Sequence, residues 1–384
     1  MIRIMLLVVA GILALASNAC APQSAPIGAA SGTGTGILTC AGTDFANSIQ
    51  VLSTPFDPSS LTPPSGGTPL DKINNKAARD DLSAAFDAAP AKFKQTLCTT
   101  SVFVDQNAPF PWGFRKPNTS QRFIGLPGSL WGGGNLTLTS AGPYSAYENQ
   151  LFAQVFYAAM KQPWDTSSAK PPAFGMATSS NTFVDTPATT VLAILAHEYG
   201  HILFYEFFKG QDPAATAINA QAFCRNPGSA VTGYFDNTWA SITVPPNYWT
   251  GFGDATDLHV DRLVQIRDIQ NELRYSRKNW ANIATDVAAF YANDGYPAPS
   301  GRARSGLFPG LFGAISPIED FVETFKFAVL THPQANNGNP ITSMPLYITS
   351  GFGAGTPFDI FADERSNKKQ EFHRKKLCIY NRAL

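Results

Sequence analysis

Residues 185–210, DTPATTVLAILAHEYGHILFYEFFKG, contain the clearest helix signal in the chain and decide its fold. Asp185 or Thr186 can cap a helix, Pro187 suits its first turn, and Gly210 is a stop signal after about Lys209. Apolar side chains surround the predicted helix on nearly all sides: Val191, Leu192, Ile194, Leu195, Ile202, Leu203, Phe204, Phe207 and Phe208. A helix that is apolar all round is buried, so we predict a central core helix.

The same helix carries the motif His197-Glu198-Tyr199-Gly200-His201. The two histidines are four residues apart, so both imidazoles project from one face and can bind one metal ion. Glu198 is then placed as general base for a water activated by zinc. The alternative is that these are ordinary residues of a buried helix. Two considerations oppose this alternative. Burying polar groups in so apolar a helix is costly unless a metal ion or hydrogen bonds satisfy them. The motif is also expected by chance in only about one in a thousand chains of this composition.

A third protein ligand must come from elsewhere in the chain. A metzincin would place a histidine six residues after the second one, and Phe207 at that position excludes this subclass. The remaining candidates are His259, Asp261, Glu272, Glu319, Asp320 and Glu323. We favour Glu319 and Glu323, since at this spacing one can ligate zinc while the other hydrogen-bonds a ligand histidine. In a competing interpretation Ser316 and Glu319 form a capping box, and Glu323 is the ligand.

The His197-to-His201 motif and the Glu319/Glu323 pair together resemble the gluzincin group of zincin metallopeptidases. The resemblance implies that Glu319 completes a zinc site and that Glu323 supports it. It also implies an α+β, zincin-like core with a central HExxH helix and a largely helical C-terminal part. The correspondence covers these residues alone. More than a hundred residues separate the motif from Glu319, far more than in thermolysin, so we expect a large insertion or helical subdomain between them.

The predicted function is zinc-dependent hydrolysis of a peptide bond in a peptide or protein substrate. His197, His201 and Glu319 are expected to bind zinc and Glu198 to act as general base, with an upstream segment pairing as a strand near the substrate cleft. Two alternatives stay open: a non-enzymatic envelope lipoprotein or interaction domain with a structural metal, and a zinc amidase acting on a cell-wall substrate. Glu198 argues against a structural metal, because such a site has no use for a general base.

Composition narrows the possible partners. The chain has 384 residues, of which 44% are hydrophobic and 12% aromatic, enough for a substantial packed core. Lys plus Arg equals Asp plus Glu at 28 each, so no net charge attracts nucleic acid or an anionic membrane surface. We therefore expect a globular protein that binds no nucleic acid, and its oligomeric state stays open.

The N-terminus is typical of an exported protein. Arg3 precedes an apolar run and then small residues suited to cleavage, so residues 1–19 are predicted to be a signal peptide. Cys20 follows as in a bacterial lipoprotein, although Ser17 stands where such signals usually carry an aliphatic residue. Membrane attachment through a lipidated Cys20 and simple secretion are both open. The predicted location is periplasmic, outer-membrane or extracellular.

Four further cysteines, an even number, predict two disulfides in an exported protein. Four cysteines allow three pairings, of which we predict Cys40 with Cys98 and Cys224 with Cys378, the neighbours in sequence.

Behind the signal the chain divides into three parts. Residues 20–36 read as a flexible linker rich in Pro, Ser and Gly. Residues 37–210 are predicted to be an N-terminal α/β part that ends in the metal-binding helix. Residues 211–384 are predicted to be a mainly helical part that supplies the third ligand.

Outside the central helix, apolar patterns predict four more elements: a helix over 150–161, an extended segment over 174–184 and helices over 257–292 and 316–330. Residues 37–145 mix short apolar runs with dense Pro and Gly, and we interpret them as strands and loops. The basic C-terminal stretch that contains Lys375 and Lys376 is interpreted as a solvated helix face. Glu206 points away from the motif and is expected to be a salt-bridge or a surface residue.

Overall fold

The computed structural model describes residues 40–52, 67–70, 75–116, 119–132, 142–157, 173–176, 185–204, 309–310, 312–315, 317–349, 358–359 and 370–384, with Thr54, Phe56, Pro64, Leu138, Glu206, Phe361 and Glu364. The predicted signal peptide and linker, Cys20, Cys224, the predicted helix over 257–292 and the ligand candidates His259, Asp261 and Glu272 lie outside these residues.

Helices and strands are both present among the described residues. The helices are α1 (Gly42–Ser48), α2 (Lys76–Ala88), α3 (Ala91–Cys98), the short α4 (Ser129–Gly132), α5 (Pro143–Tyr157), α6 (Pro187–Phe204), α7 (Pro317–Thr331) and α8 (Gln370–Ala383). The strands are β1 (Gln50–Leu52), β2 (Thr68–Pro69), β3 (Ser101–Asp105), β4 (Trp112–Arg115), β5 (Arg122–Pro127), β6 (Ala173–Met176), β7 (Pro345–Thr349) and β8 (Phe358–Asp359).

A five-stranded sheet in the order β2-β1-β3-β5-β4 forms one layer of the main core. Strands β1, β3 and β5 are parallel, and β2 and β4 join at the two edges in antiparallel pairing, with Gly113 of β4 opposite Ile124 of β5. Alternate side chains face opposite sides of the sheet. One face contributes to the main core with Val51, Val102, Val104, Ile124 and Leu126. Strands β6, β7 and β8 form a separate antiparallel sheet.

Helix α6 lies in the centre of this core. It begins at Pro187, and Thr186 caps it, because its Oγ1 accepts a hydrogen bond from the backbone N–H of Thr189 at 3.2 Å. Residues 189–204 are buried except for the partly exposed His201. The predicted start and all-round burial are confirmed. The predicted end near Lys209 lies outside the described residues.

Helices α2, α5 and α7 and strands β4 and β5 all pack against α6, and α7 has the most extensive contact. The side chain of Arg122 on β5 binds both carboxylate oxygens of Glu206, at 2.7 and 3.0 Å. This pair ties the sheet to the chain just after α6. Of the two alternatives predicted for Glu206, the structure supports the salt bridge.

The helix predictions are correct for α7 and wrong in two other places. Helix α7 spans Pro317–Thr331, within one residue of the prediction at each end. Helix α5 begins seven residues before the predicted start, because Asp185 accepts a hydrogen bond from the backbone N–H of Tyr144 at 2.7 Å and caps it from a distant part of the chain. Helices α2 and α3 occupy a segment that we interpreted as strands and loops. Asn75 caps α2 by accepting from the N–H of Ala78.

The interpretation of Lys375 and Lys376 as solvated is also wrong. Both side chains are buried, and each has an acidic partner outside its own helix. The ammonium of Lys375 lies 2.6 and 2.8 Å from the two carboxylate oxygens of Asp320, and that of Lys376 binds Glu364. The Lys375 pair joins α8 to α7.

A disulfide joins Cys40 to Cys98, with the Cα atoms 6.2 Å apart, which confirms that predicted pair. Cys378 is disulfide-bonded as well, and its predicted partner Cys224 is outside the described residues. None of the described helices has the length and apolar character needed to cross a membrane.

Candidate metal centre

Helices α6 and α7 approach each other closely at the motif. A Cβ atom added to Gly200 would lie 3.1 Å from the Cα of Val322 and 3.3 Å from its Cγ1, which is tighter than ordinary van der Waals contact. The missing side chain at Gly200 therefore lets the two helix backbones come together. This approach brings the polar side chains of both helices into one space.

Three of the candidate ligands meet in that space. The Nε2 atom of His197 lies 3.8 Å from Oε2 of Glu319, and the Nε2 atom of His201 lies 3.8 Å from its Oε1. One ligand atom from each side chain can be chosen so that all three lie within 4.8 Å of one another. Two ligands at about 2.1 Å from the same zinc ion can be at most about 4.2 Å apart. Both histidine–glutamate separations are below this limit, and each involves a different oxygen of the Glu319 carboxylate.

Glu323 lies behind His197 rather than beside the three converging atoms. Its Oε1 is 2.8 Å from Nδ1 of His197, within hydrogen-bonding distance. Its Oε2 accepts a hydrogen bond of 2.8 Å from the ammonium of Lys326, which donates a second one of 3.0 Å to Glu148 on α5. The Nδ1 atom of His197 is thus engaged with a carboxylate, and its Nε2 is left facing Glu319.

Side-chain exposure increases from one end of the centre to the other. The exposed fraction is 0% for Lys326, 2% for Glu323 and 5% for His197, but 15% for Glu319 and 23% for His201. The network around Glu323 is therefore the buried end. The side of the centre that carries His201 and Glu319 is the one that solvent reaches.

The two histidines differ in their acid–base properties. Burial and the neighbouring charge of His197 lower the pKa of His201 to about 3. Burial also opposes the charged form of His197, but the hydrogen bond with Glu323 and the nearby carboxylates outweigh it and raise its pKa. His201 is therefore neutral at pH 7 and can offer a lone pair to a cation.

Burial also raises the pKa of two carboxyl groups at the centre. The pKa of Glu319 rises to about 8, because burial outweighs the attraction of His197, and the charges of Glu323 and Glu198 add to the rise. The pKa of Glu198 rises to about 7, again through burial, with His197 opposing the change. A carboxylate with a pKa near neutrality is suited to exchange protons at physiological pH.

The donor set fits a transition-metal ion. Two imidazoles and one carboxylate are the ligand set of catalytic zinc sites, which keep a fourth position for water or substrate. Calcium and magnesium prefer oxygen ligands throughout, so the two histidines disfavour them. The same donors also suit ferrous iron.

Strand β4 lies against α6 at the motif. A Cβ atom on Gly113 would come within 2.1 Å of the backbone oxygen of Glu198, so a side chain there would push the strand and helix apart. Strand β4 pairs with β5 on one side and ends the order of the sheet on the other. Among the described strands it is therefore an edge strand next to Glu198.

Two aromatic rings border the inner side of His197. The ring of Phe312 lies 5.7 Å from the imidazole, and that of Tyr147 on α5 lies 6.5 Å away in an edge-on arrangement. The Tyr147 hydroxyl is buried and has no hydrogen-bond partner among the described residues. Burial and then the charges of Glu323 and Glu198 raise its pKa well above the ordinary value, so the phenol stays protonated.

The candidates from the sequence separate clearly in space. Glu319 faces the histidines and Glu323 lies behind one of them, whereas Asp320 turns away and pairs with Lys375. Three features were missed: Lys326, Glu148 and Gly113. Lys326 follows Glu323 by three residues on α7, so helical spacing could have suggested that pair, whereas no local pattern indicates Glu148 or Gly113.

Comparisons of the chain with protein-family models, curated proteins and solved structures give no match.

Proposed function

We propose that this protein is an exported zinc metallopeptidase with a zincin-like core. The observation that supports this most strongly is that Glu319 of α7 meets His197 and His201 of the buried helix α6, which also carries Glu198. Zinc bound by these three side chains would lower the pKa of a water molecule and polarise the substrate carbonyl.

The side chains of the centre have separate roles in this proposal. His197 and His201 bind the ion through nitrogen and Glu319 through a carboxylate oxygen. Glu323 holds the imidazole of His197 in one tautomer and one orientation through Nδ1. Glu198 takes a proton from the attacking water and passes it to the leaving amine, a role that its pKa of about 7 suits.

Strand β4 favours a peptide as the substrate. An extended peptide can add to the exposed edge of a sheet through main-chain hydrogen bonds. The edge strand Trp112–Arg115 lies against α6 at Glu198, so a peptide paired with it would lie close to the helix that carries the motif. This arrangement favours peptide-bond hydrolysis over the alternatives of a structural metal and of a cell-wall amidase.

The test is the substitution Glu198→Gln in the zinc-loaded protein. Because the amide cannot accept the proton, we expect kcat/KM on a library of quenched fluorescent peptides to fall about 10²- to 10⁴-fold. Zinc content, measured by mass spectrometry, should stay at that of the wild type. The matched control is Glu206→Gln, which makes the same change close to the end of the same helix, on a carboxylate that pairs with Arg122. It should retain hydrolysis.

Full activity of the zinc-loaded Glu198→Gln variant would rule out this mechanism. Zinc binding without hydrolysis of any peptide by the wild type would favour a structural metal. Chelator-sensitive cleavage of peptidoglycan but not of peptides would favour the amidase, and occupancy by iron would overturn the assignment of zinc.

Export is also part of the proposal. The Cys40–Cys98 disulfide is consistent with an oxidising compartment. Attachment to a membrane through lipidated Cys20 is proposed as one of two possible fates, and mass spectrometry of the mature N-terminus would distinguish it from secretion.

A further inference from the structure

A row of four buried polar side chains leads away from the proposed metal centre. It runs from His197 through Glu323 and Lys326 to Glu148, with successive contacts of 2.8, 2.8 and 3.0 Å. Three elements contribute to it: α6, α7 and α5. The last two members are not needed to bind the metal, so their presence requires a separate explanation.

Two aromatic rings and two carboxylates surround the ammonium of Lys326. Its side chain is fully buried, and its ammonium lies 4.6 Å from the ring centroid of Phe327 and 5.3 Å from that of Tyr147. A buried ammonium is stable only when its charge is compensated, and here Glu323 and Glu148 compensate it. The ammonium of Lys326 thus binds one carboxylate on α7 and one on α5, and these two contacts fix its position.

The position of Lys326 determines how Glu323 can lie. One carboxylate oxygen of Glu323 accepts from Lys326, which leaves the other to face Nδ1 of His197. Without Lys326, Glu323 would lose one of these two anchors and could rotate away from the imidazole. Outer partners of this kind orient the ligand and increase its basicity.

We propose that Lys326 and Glu148 are positioning residues of the metal centre, which hold Glu323 against His197 so that Nε2 of His197 is aimed at the cation. This inference rests on the proposed function, because it requires that His197, His201 and Glu319 bind a divalent cation. The competing explanation is that the Lys326–Glu148 pair only fastens α5 to α7.

A second buried ion pair on the same helix provides a matched control. Asp320 of α7 pairs with Lys375 of α8 at 2.6 and 2.8 Å, and both side chains are buried. Asp320 precedes Glu323 by three residues but turns to α8, whereas Glu323 turns to His197. Lys326→Met and Lys375→Met thus each remove one buried ammonium that pairs with a carboxylate of α7, and only the first removes a partner of Glu323.

The experiment measures the zinc Kd of the full chain by competition with a chromophoric chelator. We expect Lys326→Met to weaken zinc binding by up to about 10- to 100-fold, the range for losing the direct partner of a ligand, because it frees Glu323 to leave His197. Lys375→Met should lower the unfolding midpoint but leave the zinc Kd within about twofold of the wild type. Glu148→Gln, which keeps the shape of the side chain, should weaken zinc binding severalfold and provides the test if Lys326→Met does not fold.

A spectroscopic measurement separates positioning from general stability. In the zinc-loaded protein the proton on Nδ1 of His197 should give a downfield NMR signal because a carboxylate accepts it. Lys326→Met should shift or broaden this signal, and Lys375→Met should leave it in place.

Equal effects of Lys326→Met and Lys375→Met on zinc binding would overturn the inference, as would wild-type affinity in both Lys326→Met and Glu148→Gln. If the wild type itself bound no zinc, the proposed function would fail, and this outcome is distinguishable from the two above.

Discussion

Glu319 and Glu323 are one helical turn apart on α7, yet their pKa values shift in opposite directions. Burial raises the pKa of Glu319 to about 8 against the attraction of His197, and the charges of Glu323 and Glu198 add to the rise. Burial would also raise the pKa of Glu323, but the charge of Lys326 and the hydrogen bond from His197 outweigh it, and the pKa falls below its ordinary value. The carboxyl group that faces the histidines therefore gains most from an added cation.

This difference predicts that zinc binding releases protons and depends on pH. Below about pH 8 Glu319 carries a proton that the cation must displace, so zinc affinity should rise with pH up to about 8 and then level off. His201, with a pKa near 3, should contribute no proton at neutral pH. The pKa of His197 is raised as well, so this ligand must also lose a proton from Nε2 when zinc binds. Calorimetry at pH 6.5 in two buffers of different ionisation enthalpy should therefore detect about one to two protons released per zinc ion.

The control is the same titration at pH 9, where the release should be much smaller. A zinc affinity that is independent of pH between 6 and 8 would show that Glu319 is already ionised, or that it is not a ligand.

At the scale of elements, β4 closely approaches the backbone of the motif. The backbone of Gly113 packs against the carbonyl of Glu198, so Gly113→Ala places a methyl group where a backbone oxygen lies. The strand and helix must then separate, and we expect the free energy of unfolding to fall by about 1–3 kcal/mol in urea denaturation. Peptide hydrolysis should fall as well, because the shift displaces the edge strand from Glu198.

Gly132 at the end of α4 is the matched control, since an added Cβ atom there would meet nothing within 4 Å. Gly132→Ala should change the stability by less than about 0.5 kcal/mol. If both substitutions had the same small effect, β4 would not be held tightly against α6.

The elements that the sequence predicts well are those with local signals. Helix α6 has its cap and apolar residues on all sides, and α7 has a proline at its first position, so both could be located from neighbouring residues alone. The start of α5 could not, because its cap, Asp185, is 41 residues away from Tyr144. Lys375 looked solvated for the same reason, since its partner Asp320 is 55 residues away.

The same distinction holds for the candidate site. The spacing of His197 and His201 and that of Glu319 and Glu323 follow from helical geometry, so the sequence was enough to single out these side chains. Glu148 and Gly113 could not be found in this way. Their relation to the centre exists only once α5 and β4 have packed against α6 and α7.

At the scale of the whole molecule, the Cys40–Cys98 disulfide closes a loop across 58 residues of sequence. The loop contains α1, β1, β2, α2 and α3, which ends at Cys98, and its helix α2 packs against α6. A cross-link over this separation restricts the unfolded chain and can stabilise the fold by up to about 4 kcal/mol.

Replacing both cysteines by alanine should therefore lower the free energy of unfolding by about 2–4 kcal/mol, measured by urea denaturation. Removing both avoids a free thiol. The zinc affinity of the folded variant should stay at the wild-type value, because His197, His201, Glu319 and the residues behind them all lie outside the loop. If the fully folded double variant bound zinc more weakly than the wild type, the loop would also hold α6 in position through its contact with α2. The disulfide would then support the metal centre as well as the core.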